Sequence, residues 1–112
     1  MVNFSFIKMS GLGNDFVIID QRSDLFELNE NQIKKICDRK QGIGCDQLIY
    51  IRNSEQNQLY LMKFFNSSGE EISACGNGTR CVASFLMNEI NSNEIKINTI
   101  DKILSCKKLN DN

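Results

Sequence analysis

The chain has 112 residues, of which 41% are hydrophobic and 24% are charged, and its formal net charge is −1. This length suits one compact domain, residues 1–112, that can bury a core without disulfide staples. The near-neutral charge gives no reason to expect a nucleic acid or an anionic membrane as partner, and the apolar runs are too short to span a bilayer. The N-terminal residues lack a secretory signal pattern, so we expect a cytoplasmic protein.

The first forty residues are predicted to form two strands and a helix. Alternating apolar residues over 2–6 predict a strand, and residues 16–20 predict a second strand antiparallel to it. Asn29 has the character of a helix N-cap, with Gln32 as its capping-box partner. The helix is expected to end near residues 41–42, where a glycine follows the apolar stripe.

The rest of the chain predicts an α+β fold with a mainly antiparallel sheet. Further strands are expected over residues 47–52, 59–65, 71–74, 94–99 and 102–107. Residues 79–88 have a helical pattern that is apolar almost all round. Because a helix that is apolar on every side is normally buried, we expect the sheet to wrap around this one as a central helix.

Five cysteines and no histidine limit the chemistry that the chain can carry. The odd, irregularly spaced cysteines do not indicate a disulfide framework, and their spacing does not fit structural zinc. Without histidine, acid–base catalysis near neutral pH must use Cys, Asp, Glu, Lys or Tyr. Cys37 and Cys81 have the surroundings of core residues, whereas the surroundings of Cys45 and Cys106 leave their roles open.

Three glycine-containing loops stand out, at residues 11–15, 42–46 and 75–78. Each places an amide or a cysteine beside glycine, which lets backbone N–H groups approach a ligand closely. None matches the dinucleotide or phosphate-loop fingerprints, so the pattern favours a carboxylate ligand. Any one loop taken alone is also explained by turn geometry.

Cys75 lies in the last of these loops, where a strand-like segment changes to a helix-like one. Free N–H groups and the positive end of a helix dipole favour a thiolate at such a position. The alternative is a small buried core residue, since free cysteine is often buried.

Four segments together resemble the diaminopimelate epimerases. They are residues 8–16, 42–47, 65–69 and 74–81, and they follow the order of that family. The resemblance implies an isomerase without a cofactor that converts LL- to meso-diaminopimelate in lysine and peptidoglycan precursor synthesis. It also implies that two cysteines face opposite sides of the substrate α-carbon, with Cys75 matching the first of them.

The same resemblance implies a set of substrate-binding residues. Asn14, Gln47 and Asn66 match substrate-contacting amides, and Gly76 and Asn77 match backbone donors to the reacting carboxylate. This set is chemically reasonable because a carbanion that develops beside a carboxylate needs preorganised hydrogen-bond donors. The amides can also bind the distal ammonium and carboxylate groups without adding charge.

The chain matches only the first half of the family's two-domain architecture. The second cysteine and a Glu–Arg pair, which the second half normally contributes, have no counterpart in it. Three alternatives therefore stay open: half of an epimerase that acts with its missing half or a second chain, an inactive remnant or binding module, and a different isomerase of the same fold. A small-molecule substrate and a homodimer are compatible with these readings.

Overall fold

One mixed sheet organises the chain in the computed structural model, which describes residues 4–11, 13–54, 60–73, 76–99 and 103–109. Its strands are β1 (Ile7–Gly11), β2 (Asn14–Asp20), β3 (Gln47–Asn53), β4 (Tyr60–Asn66), β5 (Glu71–Ile72), β6 (Glu94–Asn98) and β7 (Ile103–Lys107). The helices are α1 (Glu30–Cys37) and α2 (Gly76–Ile90).

The strand order is β1-β2-β3-β4-β6-β7, and β5 pairs with β4 beside this path. The β2–β3 and β4–β6 pairs are parallel, and the four other pairs are antiparallel. The predicted α+β class with a mainly antiparallel sheet is therefore confirmed. Strand β4 lies inside the sheet, because it pairs with β3 on one side and with β6 on the other.

The two helices cover opposite faces of the sheet. One apolar cluster packs under α2 and includes Phe16, Ile49 and Phe64. The cluster on the α1 side is built from the alternate strand positions, such as Val17 and Leu48. Successive side chains of a strand point to opposite faces, so strands that are apolar at every position suit a sheet covered on both sides.

The expectation of a central helix buried on all sides is not confirmed. Val82 and Leu86 are fully buried against the sheet, whereas Arg80, Ser84 and Asn88 are exposed along the opposite side of α2. Small and polar residues at this four-residue spacing form a stripe that water can cover. Among the described residues no helix is long and apolar enough to cross a membrane.

Several boundaries differ from the sequence-based expectations, those of the first strand and of both helices among them. The first described strand runs from Ile7 to Gly11, where pairing with β2 sets its register. Of the strand expected over 2–6, residues 4–6 are not in a strand, and residues 2 and 3 lie outside the described residues. Helix α1 has the predicted capping box but ends at Cys37. The side chain of Asp38 accepts hydrogen bonds from the backbone N–H groups of Lys40 and Gln41, which competes with continuation of the helix. Helix α2 begins at Gly76, three residues before the predicted start.

Candidate functional site

Three amide side chains lie at the same end of three neighbouring strands. Asn14 and Gln47 are the first residues of β2 and β3, and Asn66 is the last residue of β4. Strand β3 runs parallel to β2 and antiparallel to β4, and Gln47 pairs directly with Asn66. The sheet therefore brings these three predicted site residues to one end, with Asn14 two residues beyond the position that pairs with Gln47, and we call them the amide row.

The row of amides faces the same side of the sheet as α2. Each amide lies two positions along its strand from a buried residue of the cluster under α2, and side chains at that spacing share a face. The first turn of α2 comes very close to this cluster. A Cβ on Gly78 would lie 2.9 Å from Ile49 Cδ1 and 3.2 Å from Phe64 Cε2, so only glycine allows this approach without a shift of the core.

The N-terminus of α2 consequently opens beside the amides. The helix begins at Gly76, and the first N–H groups of a helix have no partner within it. A Cβ on Gly76 would meet no described atom within 4 Å, so this end is open to a ligand. Asn77 is half-buried, and its Oδ1 accepts from Arg80 Nη1 at 3.1 Å. Cys75 itself lies outside the described residues, directly before this helix.

Gln47 carries an unsatisfied acceptor in this row. Its Oε1 atom is buried and has no hydrogen-bond partner among the described residues. A buried amide oxygen without a hydrogen-bond partner lowers the stability of a folded protein by about 1–3 kcal/mol, so such groups are rare. An ammonium or another N–H donor of a ligand would satisfy it.

Asn66 is oriented by the turn that follows it. Its Oδ1 accepts from the backbone N–H of Ser68 at 3.0 Å and from the Ser68 hydroxyl. Gly69 closes the turn by donating to the Asn66 carbonyl at 3.0 Å. Gly69 has φ of +91°, and a Cβ there would lie 2.3 Å from the Glu30 carbonyl oxygen. The other polar group of this side chain is its NH₂, which is a hydrogen-bond donor.

Two acidic residues that the sequence analysis left unassigned join the loops that carry Asn14 and Gln47. The backbone N–H of Asp15 donates to Asp46 Oδ2 at 2.9 Å, and the N–H of Asp46 donates to Asp15 Oδ1 at 3.0 Å. Arg39 adds a two-pronged ion pair to Asp15, at 2.9 and 2.8 Å, and reaches Asp46 Oδ1 at 3.2 Å. We call Asp15, Arg39 and Asp46 the loop clamp.

The loop clamp was not predicted from the sequence, and its arginine, Arg39, stays exposed to solvent. Arg39 lies beyond the end of α1, and its guanidinium binds the loop that starts β2. A signal was present in the sequence, because each acid is directly adjacent to a predicted site amide. Such long-range pairs cannot be assigned without the fold.

A polar cleft of about 540 Å³ opens along Asn14 and the loop clamp.

The loop clamp predicts a specific dependence of stability on pH. The Arg39 guanidinium, helped by Lys8 and by hydrogen bonds from Asp46, holds the pKa of the Asp15 carboxyl well below its usual range. An unfolded aspartate has a pKa of about 3.9, so the stabilisation is complete above that value and is lost as the pH falls through the lower folded pKa. We expect the excess stability of the wild-type chain over Asp15→Asn to be constant near neutral pH and to shrink below about pH 4.

Urea unfolding from neutral pH down to about pH 2 measures this difference. Asp24→Asn is the matched control, because Asp24 is an exposed aspartate outside the loop clamp. A gap between wild type and Asp15→Asn that stays the same over the whole range would contradict an ionised, clamped Asp15.

The sequence profile of diaminopimelate epimerase matches residues 6–109. The chain belongs to the diaminopimelate epimerase family. The resemblance drawn from the four sequence segments is thereby confirmed.

Curated relatives extend well beyond the matched region. A diaminopimelate epimerase of Pelagibacter ubique is 53% identical over 105 residues, which cover 94% of this chain and 38% of the relative. One of Phenylobacterium zucineum is 49% identical over 94 residues, which cover 84% of this chain and 34% of the relative. The chain thus spans a little over a third of the length of these relatives.

Solved structures show the fold at much lower sequence identity. A phenazine biosynthesis protein of the PhzF family from Enterococcus faecalis matches with a TM-score of 0.61 and 17% identity over 86% of this chain and 34% of that one. A phenazine biosynthesis PhzC/PhzF protein from Clostridium difficile matches with a TM-score of 0.63 and 16% identity over 93% of this chain and 39% of that one. These matches support the architecture alone.

Proposed function

We propose that this chain forms one wall of an amino-acid epimerase site that interconverts LL- and meso-diaminopimelate without a cofactor. The observation that carries the proposal is the row of Asn14, Gln47 and Asn66 beside the open N-terminus of α2, with the Gln47 Oε1 atom unsatisfied. The family membership of the chain and the names of its relatives support this choice of substrate.

Cys75 is proposed as one of two acid–base groups. It directly precedes α2, where the helix dipole and unpaired N–H groups favour a thiolate. The thiolate removes the α-proton from one face of the substrate, and a thiol on the opposite face delivers a proton to the α-carbon. In the reverse direction the two groups exchange roles. The charge that develops on the substrate carboxylate is stabilised by the backbone N–H groups of Gly76 and Asn77.

The amide row is proposed to hold the part of the substrate that does not react. The Gln47 oxygen accepts from an ammonium group, and the Asn66 NH₂ group donates to a carboxylate. Asn14 extends the row toward the polar cleft beside Gly13. Neutral amides suit a zwitterionic amino acid, because they orient both charged ends and a mismatch leaves a buried polar group unpaired.

Residues 1–112 are proposed as the first of two similar domains, with the substrate bound between them. The second thiol comes from a C-terminal half, or a second chain, that also covers the exposed side of α2 near Arg80 and Ser84. This cover would make α2 the buried central helix of the complete fold. The protein is proposed to act in the cytoplasm on a small-molecule substrate.

A fusion tests the proposed function. The chain is joined to the part of the Pelagibacter ubique relative that lies beyond its matched region. We expect the fusion, checked for folding by circular dichroism and gel filtration, to convert LL- to meso-diaminopimelate and to exchange the α-hydrogen with solvent deuterium. The 112-residue chain alone, as control, is expected to do neither. A folded fusion without exchange, or turnover by the chain alone, would refute the shared-site proposal.

A further inference from the structure

Two buried thiols outside the candidate site lie in direct contact. Cys37, the last residue of α1, and Cys45, two residues before β3, are each 2% exposed. Their Sγ atoms are 3.4 Å apart, and the Cys45 thiol donates to the Cys37 sulfur. The same two residues are joined through their backbones, because the Cys45 N–H donates to the Cys37 carbonyl at 3.1 Å.

This geometry brings the pair close to disulfide geometry. A disulfide requires Sγ atoms about 2.05 Å apart and Cα atoms within roughly 4.4–6.8 Å. The backbone hydrogen bond holds the two main chains together already, so side-chain rotation and a small backbone adjustment can bring the sulfurs into bonding range. We propose that Cys37 and Cys45 form an oxidative modification site, at which a hydroperoxide converts the two thiols into an intramolecular disulfide.

The chemistry balances with the hydroperoxide as the only oxidant. The Cys45 thiolate attacks the peroxide oxygen, breaks the O–O bond and becomes a sulfenic acid, while an alcohol, or water from hydrogen peroxide, leaves. The Cys37 sulfur then attacks the sulfenic sulfur and displaces water. Two thiols lose two electrons and two protons, and the peroxide is reduced by the same two electrons.

A small oxidant can reach the pair through the loop that covers it. Between the two cysteines, the backbone runs through the exposed residues Arg39, Lys40 and Gln41. Local opening of this loop, which breaks the Arg39 ion pairs, uncovers the two thiols, and hydrogen peroxide is close to water in size. When Cys45 is ionised, the Cys37 thiol becomes the donor of the hydrogen bond between the two sulfurs, and this bond lowers the pKa of Cys45.

The disulfide would enclose the loop that carries Arg39. It would link the end of α1 covalently to the residue directly before Asp46, and so restrict the motion of the loop clamp. Closing a loop restricts the unfolded chain, so the oxidised form is expected to unfold at a higher temperature than the reduced form.

Peptide mapping of the folded wild-type chain tests the proposal. After hydrogen peroxide, alkylation of the remaining thiols and trypsin, the pair should appear as residues 36–39 linked to residues 41–52, with the loss of two hydrogen atoms. We expect this link to be the dominant disulfide in the folded chain, to spread over other cysteine pairs in concentrated urea, and to disappear with dithiothreitol.

Two half-buried cysteines provide the internal comparison. Cys81 and Cys106 are more accessible than the proposed pair, so oxidation governed by accessibility alone would modify them first. Cys81→Ser should keep the link, and Cys45→Ser should abolish it. Oxidation of Cys81 or Cys106 in the folded wild-type chain while Cys37 and Cys45 stay open to alkylation would overturn the proposal. The test is decided on the wild-type chain, so it remains valid even if one of the variants fails to fold.

Discussion

Phe64→Ala is expected to lower the free energy of unfolding by about 3–5 kcal/mol, the range found for truncation of buried aromatic residues. Whole domains of this kind are stable by about 5–15 kcal/mol, so the variant would be partly unfolded in a marginal protein. Phe64 is 1% exposed and lies in the central strand β4. It pairs with Ile49 on one side and with Ile72 on the other.

The position of Phe64 links stability to the candidate site. Its ring supports the first turn of α2 at Gly78, and it lies two residues before Asn66 on the same face of the sheet. A cavity here removes the surface on which the N-terminus of α2 rests. We therefore expect the first turn of α2 to lose hydrogen-exchange protection more than the β6–β7 hairpin does.

Phe6→Ala is the matched control for Phe64→Ala. It removes the same side chain from a position that is 44% exposed, so its effect should stay within roughly 1 kcal/mol. Urea denaturation measures both variants, and the slope of each transition shows whether the unfolding remains comparable. Equal losses for Phe64 and Phe6 would mean that the cluster under α2 does not dominate stability.

Features that depend on neighbouring residues could be predicted from the sequence. The capping box of Asn29 and Gln32 is present, with reciprocal hydrogen bonds of 2.8 Å. The strands expected over 94–99 and 102–107 are present as β6 and β7, which pair antiparallel; residue 102 lies outside the described residues. Each of these features is stabilised mainly by residues close together in the sequence, so a short segment of sequence is enough to predict it.

Features set by distant partners could not be predicted. The alternating apolar residues over 2–6 favoured a strand there, but the register of β1 depends on pairing Ile7 with Ile18. The parallel β2–β3 and β4–β6 pairs join segments separated by a helix and have no local signal. The sequence of one strand does not specify its pairing partner, because the register of a strand is set by the packing of a whole face of the sheet.

Some residues of the candidate site could be predicted from the sequence, and others could not. Its amide residues were identified by resemblance, and the sheet brings Asn14, Gln47 and Asn66 together at the ends of β2, β3 and β4. The loop clamp was missed because Arg39 reaches a residue 24 positions away along the chain. The roles of the amides, of Gly76 and Asn77, and of Cys75 stay predictions until activity is measured.

Cys75→Ala in the fusion is expected to reduce LL- to meso-diaminopimelate conversion by about 10²- to 10⁴-fold, the contribution typical of one acid–base group. The amide row does not include this thiol, so the variant should still bind substrate with similar affinity. Initial rates of conversion and isothermal titration on the same preparation separate the loss of turnover from a loss of binding.

Cys81→Ala is the control that distinguishes chemistry from folding. Cys81 lies six residues further along, a half-buried residue of α2 that packs against the cluster under the helix. Its Sγ lies near β1, where a Cβ on Gly11 would come within 3.0 Å of it. Truncating it should therefore cost stability and leave the rate per folded molecule within a few-fold. A rate that falls equally in both variants would assign Cys75 a structural role, and the proposed acid–base function would then have no group on this wall of the site to perform it.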